Sequence, residues 1–354
     1  MTRRENTLSL LRRRGYEKVP VDFNLCPHLE EIYKARTGGT QPYKEYFGMP
    51  LWYLPPLRLE DEDVSRFYPY HPNRDDRTVI DHCGVGHRST PTSMHMSQML
   101  HPLKDADSVE QILTYPYPVA KKEENIEWIR RDAEEIRRRD YLVCASMNVT
   151  LWESAWYIRG MEPLMMDMLC APEMAEALLD RITGLACDNA RIYAQGGAEL
   201  LLIGDDVGMQ HSTMMSLEMF TQWIKPRLTQ FIQSAKAVNP DILIMFHSCG
   251  TIQPFIPHLI EAGIDVLNPI QPECMDFQSI HEQFGEQVSF HGTIGTQSTM
   301  PWGTPAEVRR EVERNLKIAG DHGGLLPAPT HLLEPEVPWE NILAYVDACI
   351  HYGG

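Results

Sequence analysis

No run of about 18 apolar residues, the length a helix needs to span a bilayer, occurs anywhere in this 354-residue chain. Nor is there a basic surplus: 32 lysines and arginines stand against 49 acids, a formal charge of -17. A nucleic-acid or anionic-membrane partner would need a clustered basic face, so neither is expected. The eight cysteines, at 26, 83, 144, 170, 187, 249, 274 and 349, show no CxxC and no framework spacing. In a chain of this length that reads as reduced thiols in a cytoplasmic protein. The arginine-rich start lacks the apolar core of a signal peptide. With no linker of disordered composition and no short internal repeat, residues 1–354 read as one domain, large enough to bury a substantial core. Small molecules and proteins remain as partners.

What is present alternates. Thr2 and Glu5 have capping-box spacing, and Leu8 with Leu11 forms a stripe, so 1–15 is expected to be a short helix ending at Gly15. Residues 18–23 read as a strand and 29–36 as a helix. Over 41–120 prolines recur at 42, 50, 55, 56, 69, 72, 91, 102, 116 and 118, which predicts long irregular excursions over one end of the fold. Within them 78–83 is the best strand. From residue 123 order returns: a charged-backed helix, a strand at 141–147, helices over 152–169 and 172–195, and a strand at 199–206. A helix capped by Ser216 follows. Asn239 and Pro240 stop it. Residues 242–246 are apolar without a break, as expected of a parallel strand covered on both faces. Strands at 265–268, 288–291 and 324–331 then alternate with helices, one opened by the capping box Thr304 and Glu307. About eight strands, each followed by a helix, predict a (β/α)₈ barrel with an N-terminal helical extension and long irregular insertions.

Chemistry in such barrels lies where strands end and loops begin. The polar strand ends are Asn148 and Glu153, then Asp205, Asp206 and Gln210, then His247 and Cys249. Asn268 and Gln271, His291 and Thr293, and His331 complete the ring. A polar ring on an apolar barrel is costly unless it binds something, which is an enzyme's profile. Side chains two apart on a strand point the same way, so His247 and Cys249 offer half of a zinc site. His331 ends a strand that approaches the same mouth. Asp205 and Asp206 are adjacent, so one of them at most enters it. Structural alternatives are a buried cysteine beside a satisfied histidine, helix capping by the aspartates, and a Glu153–Arg159 pair. Asp81, His82, Cys83 and His87 form a rival cluster in sequence without a regular scaffold.

Four segments together resemble the uroporphyrinogen decarboxylase superfamily, which also holds zinc-dependent methyltransferases of corrinoid systems. They are Arg4-Glu5-Asn6-Thr7-Leu8 with Val19-Pro20-Val21, His247-Ser248-Cys249-Gly250, residues 259–265, and Pro329-Thr330-His331 through 338–341. The resemblance implies a distorted barrel, usually a homodimer. Decarboxylases of the family carry an arginine-rich segment after the first strand to grip a substrate with many carboxylates; here residues 22–31 contain no arginine. The methyltransferase branch carries His-x-Cys and a distant third ligand, commonly cysteine, near the eighth strand's end. His247 and Cys249 match it, and His331 stands where that cysteine would be. The decarboxylase branch also has a functional histidine near this place.

The reading that emerges is a zinc methyltransferase moving a methyl group between a small methylated substrate, such as an aryl methyl ether, and a corrinoid (cobalamin) protein. Zinc ligands are expected at His247, Cys249 and His331. Asp206, Glu153 and His331 are expected to be catalytic, with Asn148, Asp205, Gln210, Asn268 and His291 around the substrate. The alternatives are a decarboxylase acting on a porphyrinogen or smaller acid, and a barrel kept as a binding subunit for a corrinoid protein.

Overall fold

Strands buried on both faces need apolar side chains on both, and the central sheet has them. The computed structural model describes residues 1–90 and 93–353; Pro91 and the side chain of His95 lie outside the described residues. In chain order the strands are β1 (Leu51–Tyr53), β2 (Thr78–Ile80), β3 (Gly86–Thr90), β4 (Ser93–Leu100) and β5 (Leu142–Met147). Then follow β6 (Leu200–Gly204), β7 (Leu243–His247), β8 (Val266–Asn268), β9 (Ser289–His291) and β10 (Leu325–Leu326). Seven of them form one parallel sheet in the order β1-β5-β6-β7-β8-β9-β10. It curls as a TIM-type barrel, with the connecting helices outside. Among the described residues no helix is long and apolar enough to cross a membrane.

The register stacks the interior in layers. Leu142 and Cys144, Leu200, Leu243 and Met245, Val266 and Leu326 share one cluster inside the curl. Their strand neighbours Leu201, Ile203, Ile244, Phe246, Leu267 and Phe290 face the helices instead. One step beyond Met245 on the inner face comes His247; beyond Val266 comes Asn268, and beyond Ser289 comes His291. The floor is therefore apolar and the mouth polar, by the two-residue period alone.

The N-terminal helix (Arg3–Leu11) closes the floor. Its capping box is formed as expected, with Thr2 and Glu5 each bonding the other's backbone. Leu10 and Leu11 enter the inner cluster. Polar contacts at the rim hold the helix there: the Arg3 amide donates to Asp140 Oδ2 at 2.8 Å, Arg4 pairs with Glu199, and Gly324 N–H donates to the Leu10 carbonyl at 2.8 Å. The helix stops at Leu11, short of Gly15, because Arg13 turns to a positive φ of 55°.

Several expectations need correction. Residues 18–23 are extended but add no rung to the sheet; Pro20 has no amide to donate, and the chain joins the barrel at the Leu25–Leu333 bridge. The sheet's first strand in chain order is β1, a three-residue piece between Pro50 and Pro55 too short to stand out. Thr78–Ile80 belongs instead to a separate antiparallel sheet, β2-β3-β4. The helix expected over 152–169 breaks at Gly160, with φ 92°, into Trp152–Arg159 and Met161–Cys170. The last strand is only Leu325–Leu326, since Pro327 and Pro329 cannot donate to a ladder. The proline-rich insertion is more ordered than its composition suggests. Phe67, Tyr70 and Tyr117 pack around Tyr115, and a His71 ring nitrogen lies 2.7 Å from the Gly84 carbonyl. The insertion meets the end of β5 around a cavity of about 230 Å³ lined by Leu57, Tyr117, Asn148 and Ile182.

Leu10 is fully buried. Leu10→Ala should lower unfolding free energy by about 3 kcal/mol through lost burial and the cavity left behind. Urea unfolding checks this; an unchanged midpoint would mean that the helix does not plug the floor.

Candidate metal centre

Strand β7 ends with His247 pointing inward, and the chain then turns at Gly250, with φ 79°. That turn lies directly against the loop after β6. A β-carbon on Gly208 would come within 2.5 Å of the Cys249 carbonyl oxygen, and one on Gly250 within 2.7 Å of Met209 backbone atoms. Two glycines in register let the loops touch. Thr251 N–H donates to the Met209 carbonyl at 2.8 Å, and Val207 N–H donates to Ser248 Oγ at 3.0 Å. The Cys249 amide donates to Asp206 Oδ1 at 2.8 Å, which fixes the aspartate beside the thiol.

Ligand atoms of Asp206, His247 and Cys249 all lie within 4.8 Å of one another, each residue half-buried. Cys249 Sγ is 3.6 Å and Asp206 Oδ1 3.8 Å from His247 Nε2. A tetrahedral zinc with bonds of about 2.0–2.3 Å places its donor atoms about 3.5 Å apart, so the trio fits such an ion with little adjustment. One carboxylate, one imidazole and one thiolate also leave a fourth position open, the donor count of catalytic zinc sites.

Behind the trio, His247 is oriented by a chain of hydrogen bonds. Asn268 Nδ2 lies 3.0 Å from the His291 carbonyl, an acceptor only, so this atom is the amide nitrogen and Oδ1 faces His247. His247 Nδ1, 2.6 Å from that oxygen, therefore carries the proton, and Nε2 presents its lone pair to the trio. Asn268 Nδ2 also donates to His291 Nδ1 at 2.7 Å, and His291 Nε2–H then donates to Asp22 Oδ2 at 2.9 Å. Such outer partners fix ring orientation and raise ligand basicity.

The two adjacent aspartates separate, as strand alternation requires. Asp205 is buried and accepts the Leu151 and Glu153 amides at 2.9–3.1 Å, so it caps the Trp152–Arg159 helix rather than facing the mouth. Burial pushes its carboxyl up to about 7, with the amides pulling the other way. Glu153 is pushed up to about 7 by burial and by the Asp206 charge beside it. Arg159 does not pair with Glu153; it holds Asp167 at 2.7 Å. Burial, then the Asp206 and Glu153 charges, push the Cys249 thiol up to about 12. Asp206, with Glu153 beside it, favours a cation among the three donors.

His331 does not join the trio. It is exposed at the rim, between a cavity of about 360 Å³ that reaches Cys249 and one of about 280 Å³ that reaches His247. Gln210 and Gln297 exchange two amide hydrogen bonds, at 3.1 and 3.2 Å, across the first cavity. Asn148 lines the second. Gln271 accepts the Gly250 amide at 3.1 Å. The rival cluster is a turn: Asp81 accepts the Cys83 and Val85 amides and meets His87 at 2.9 Å. Sequence reasoning missed Asp22 and Tyr53. Asp22 lies near the end of the first extended segment, 18–23, which like 78–83 was left out of the polar ring.

Comparisons with known proteins agree on a family. The pattern of "Uroporphyrinogen decarboxylase (URO-D)" matches residues 97–352. A methylated-thiol–coenzyme M methyltransferase of Methanosarcina mazei is 26% identical over 201 residues, 55% of this chain and 49% of that protein. A uroporphyrinogen decarboxylase of Pelodictyon phaeoclathratiforme is 23% identical over 181 residues, 50% of this chain and 48% of its own. The chain thus spans about half the length of the curated relatives it matches. Among solved structures, a methyltransferase from Methanosarcina mazei superposes with a TM-score of 0.67 at 20% identity, covering 98% of both chains, which shows the shared fold.

Replacing Asn268 by leucine removes the acceptor that fixes His247. Asn268→Leu should weaken divalent-metal affinity about 10–100-fold. Competition with a chelating dye measures it, and unchanged affinity would show that the relay does not set the ligand.

Proposed function

Because the chain belongs to the uroporphyrinogen decarboxylase (URO-D) family, we propose that it is a zinc-dependent methyltransferase of that family. It moves a methyl group between a small methylated substrate, an aryl methyl ether being the form we favour, and the cobalt of a separate corrinoid protein. The observation that carries this reading is the trio Asp206, His247 and Cys249, whose spacing suits a zinc ion with one open position. The methyltransferase names of the two Methanosarcina mazei relatives support it.

His247, Cys249 and Asp206 would hold the ion, with His331 reaching from the rim toward the fourth position or the substrate. When bound, zinc supplies Lewis acidity to the departing oxygen. A reduced corrinoid on the partner protein would supply the nucleophile that takes the methyl group, and the electron pair of the broken carbon–oxygen bond would stay with the oxygen. Glu153, beside Asp206 and 3.4 Å from the Tyr157 hydroxyl, is placed to hold or give a proton at that oxygen. Asn148 and Gln210 line the mouth where the rest of the substrate would lie. Eight free cysteines accord with a reducing compartment, and we place the protein in the cytoplasm. The homodimer comes from the family resemblance.

Elemental analysis of purified variants tests the ligand set. Wild type should hold about one zinc per chain, Cys249→Ser and His247→Ala close to none, and His331→Ala most of it with slower transfer. A full equivalent of zinc in folded Cys249→Ser would remove the carrying observation.

A further inference from the structure

Among the described residues the bases that line the two cavities at the mouth are imidazoles, His331 on both and His247 and His291 on the inner one. The outer one is walled by Cys249, Gln271, the Gln210–Gln297 pair and Glu334, and the inner one by His247, Asp22, Asn24, Tyr53 and Asn148 above Met245. No lysine or arginine lines either among the described residues. The chain's composition explains this: residues 192–224, 237–308 and 318–354 contain none at all. Every loop that follows β6, β7, β8, β9 and β10 falls in those stretches. In the insertion, Arg66 pairs with Asp61 and Arg77 with Asp75. Arg58, just after β1, pairs with Glu124.

Two other sources of positive potential are also spent. Helix N-termini ordinarily offer amides to an anion, but at the Trp152–Arg159 helix Asp205 already accepts the Leu151 and Glu153 amides. A divalent ion's charge would be balanced by the carboxylate of Asp206 and the thiolate of Cys249, leaving no excess to attract an acid. The carboxyl side chains that line the cavities are Asp22 on the inner one and Glu334 on the outer one, and like charges in a partly desolvated mouth repel strongly.

We propose that this mouth accepts methylated substrates and methyl acceptors bearing no ionised acid group, and turns away carboxylates, sulfonates and phosphates. The inference rests on the metal-dependent methyl-transfer reading above. Side-chain amides stand where a clamp for an acid would need guanidinium groups. Asn24, Asn148 and Gln271 suit hydroxyl and ether oxygens, as both donors and acceptors.

Three thiols of equal reach test it: 2-mercaptoethanol, 2-aminoethanethiol and 2-mercaptoethanesulfonate. Each is titrated into the full chain loaded with cobalt(II), at low salt and equal thiolate concentration, and followed by the sulfur-to-cobalt charge-transfer band. The uncharged and cationic thiols should bind at least about tenfold more tightly than the sulfonate, since one nearby like charge is worth at least that much at an effective dielectric constant of about 20. Leu332→Arg, on the wall of both cavities, should reduce that gap about tenfold, with Asn148→Arg as a second variant. Sulfonate binding as tight as that of the uncharged thiol, with cobalt in place, would overturn the inference alone. A folded chain that takes up no cobalt would overturn the metal reading and this inference with it.

Discussion

At the contact between the loops after β6 and β7, a β-carbon on Gly208 would meet the Cys249 carbonyl oxygen at 2.5 Å. Two backbones that close leave no slack, so the aspartate of one loop and the thiol of the other have fixed places. Asp206 takes the Cys249 amide, and Ser248, fully buried, takes the Val207 amide from beneath. The places of Asp206 and Cys249 are thus set by main-chain packing alone. Side chains on mobile loops would lose conformational entropy on binding; here most of that loss falls in folding.

That packing needs a rigid base, which the layered interior supplies. Parallel strands buried on both faces leave the inward positions mostly to Leu, Val and Met, with Cys144 and a hydrogen-bonded Ser289 among them, up to the last step, where His247, Asn268 and His291 take over. The N-terminal helix seals the opposite end with Leu10 and Leu11. The polar ring therefore lies over a dry floor, where unpaired polar groups are expensive. Its members answer that cost by bonding each other: Asp22, His291, Asn268 and His247 form one relay, tied to the outer shell where the Tyr345 hydroxyl lies 2.9 and 2.8 Å from the carbonyls of Asp22 and Pro327, its one proton shared between them.

Much of this was legible in the sequence, and the rest was hidden for physical reasons. The unbroken apolar run at 242–246 and the two-residue step from His247 to Cys249 gave a strand and a shared direction. The adjacency of Asp205 and Asp206 gave their separation to opposite sides, although not which would turn inward. Asn268 and His291 were placed at the mouth but read as substrate contacts, because a strand pattern shows direction and not partners. Asp22 could not be paired with His291 from a distance of 269 residues. His331 was read as a ligand from its strand end and from standing where the resembling methyltransferases have their third ligand, yet the chain after β10 contains Pro327 and Pro329, and a proline-broken strand does not fix its later side chains by alternation. The insertion escaped because prolines signal interrupted ladders, while its order comes from tyrosines and Phe67 packing in space.

The thiol at the centre bears on which chemistry this barrel performs. Half-buried beside Asp206 and Glu153, the Cys249 thiol is pushed up to about 12, and a neutral thiol is a poor nucleophile and a weak hydrogen-bond donor. A decarboxylating site gains nothing from such a group, and it gains a penalty from carboxylates crowded where a substrate acid must sit. A cation between the three donors reverses both effects, because it takes the place of the thiol's proton and compensates the carboxylates together. The same field that makes the cysteine inert without an ion makes it a strong ligand with one. His247, its Nε2 lone pair already turned 3.6 Å from the sulfur, adds a neutral donor and no further charge. A dication would then be matched by one carboxylate and one thiolate, a balance that would leave the open position to an uncharged donor.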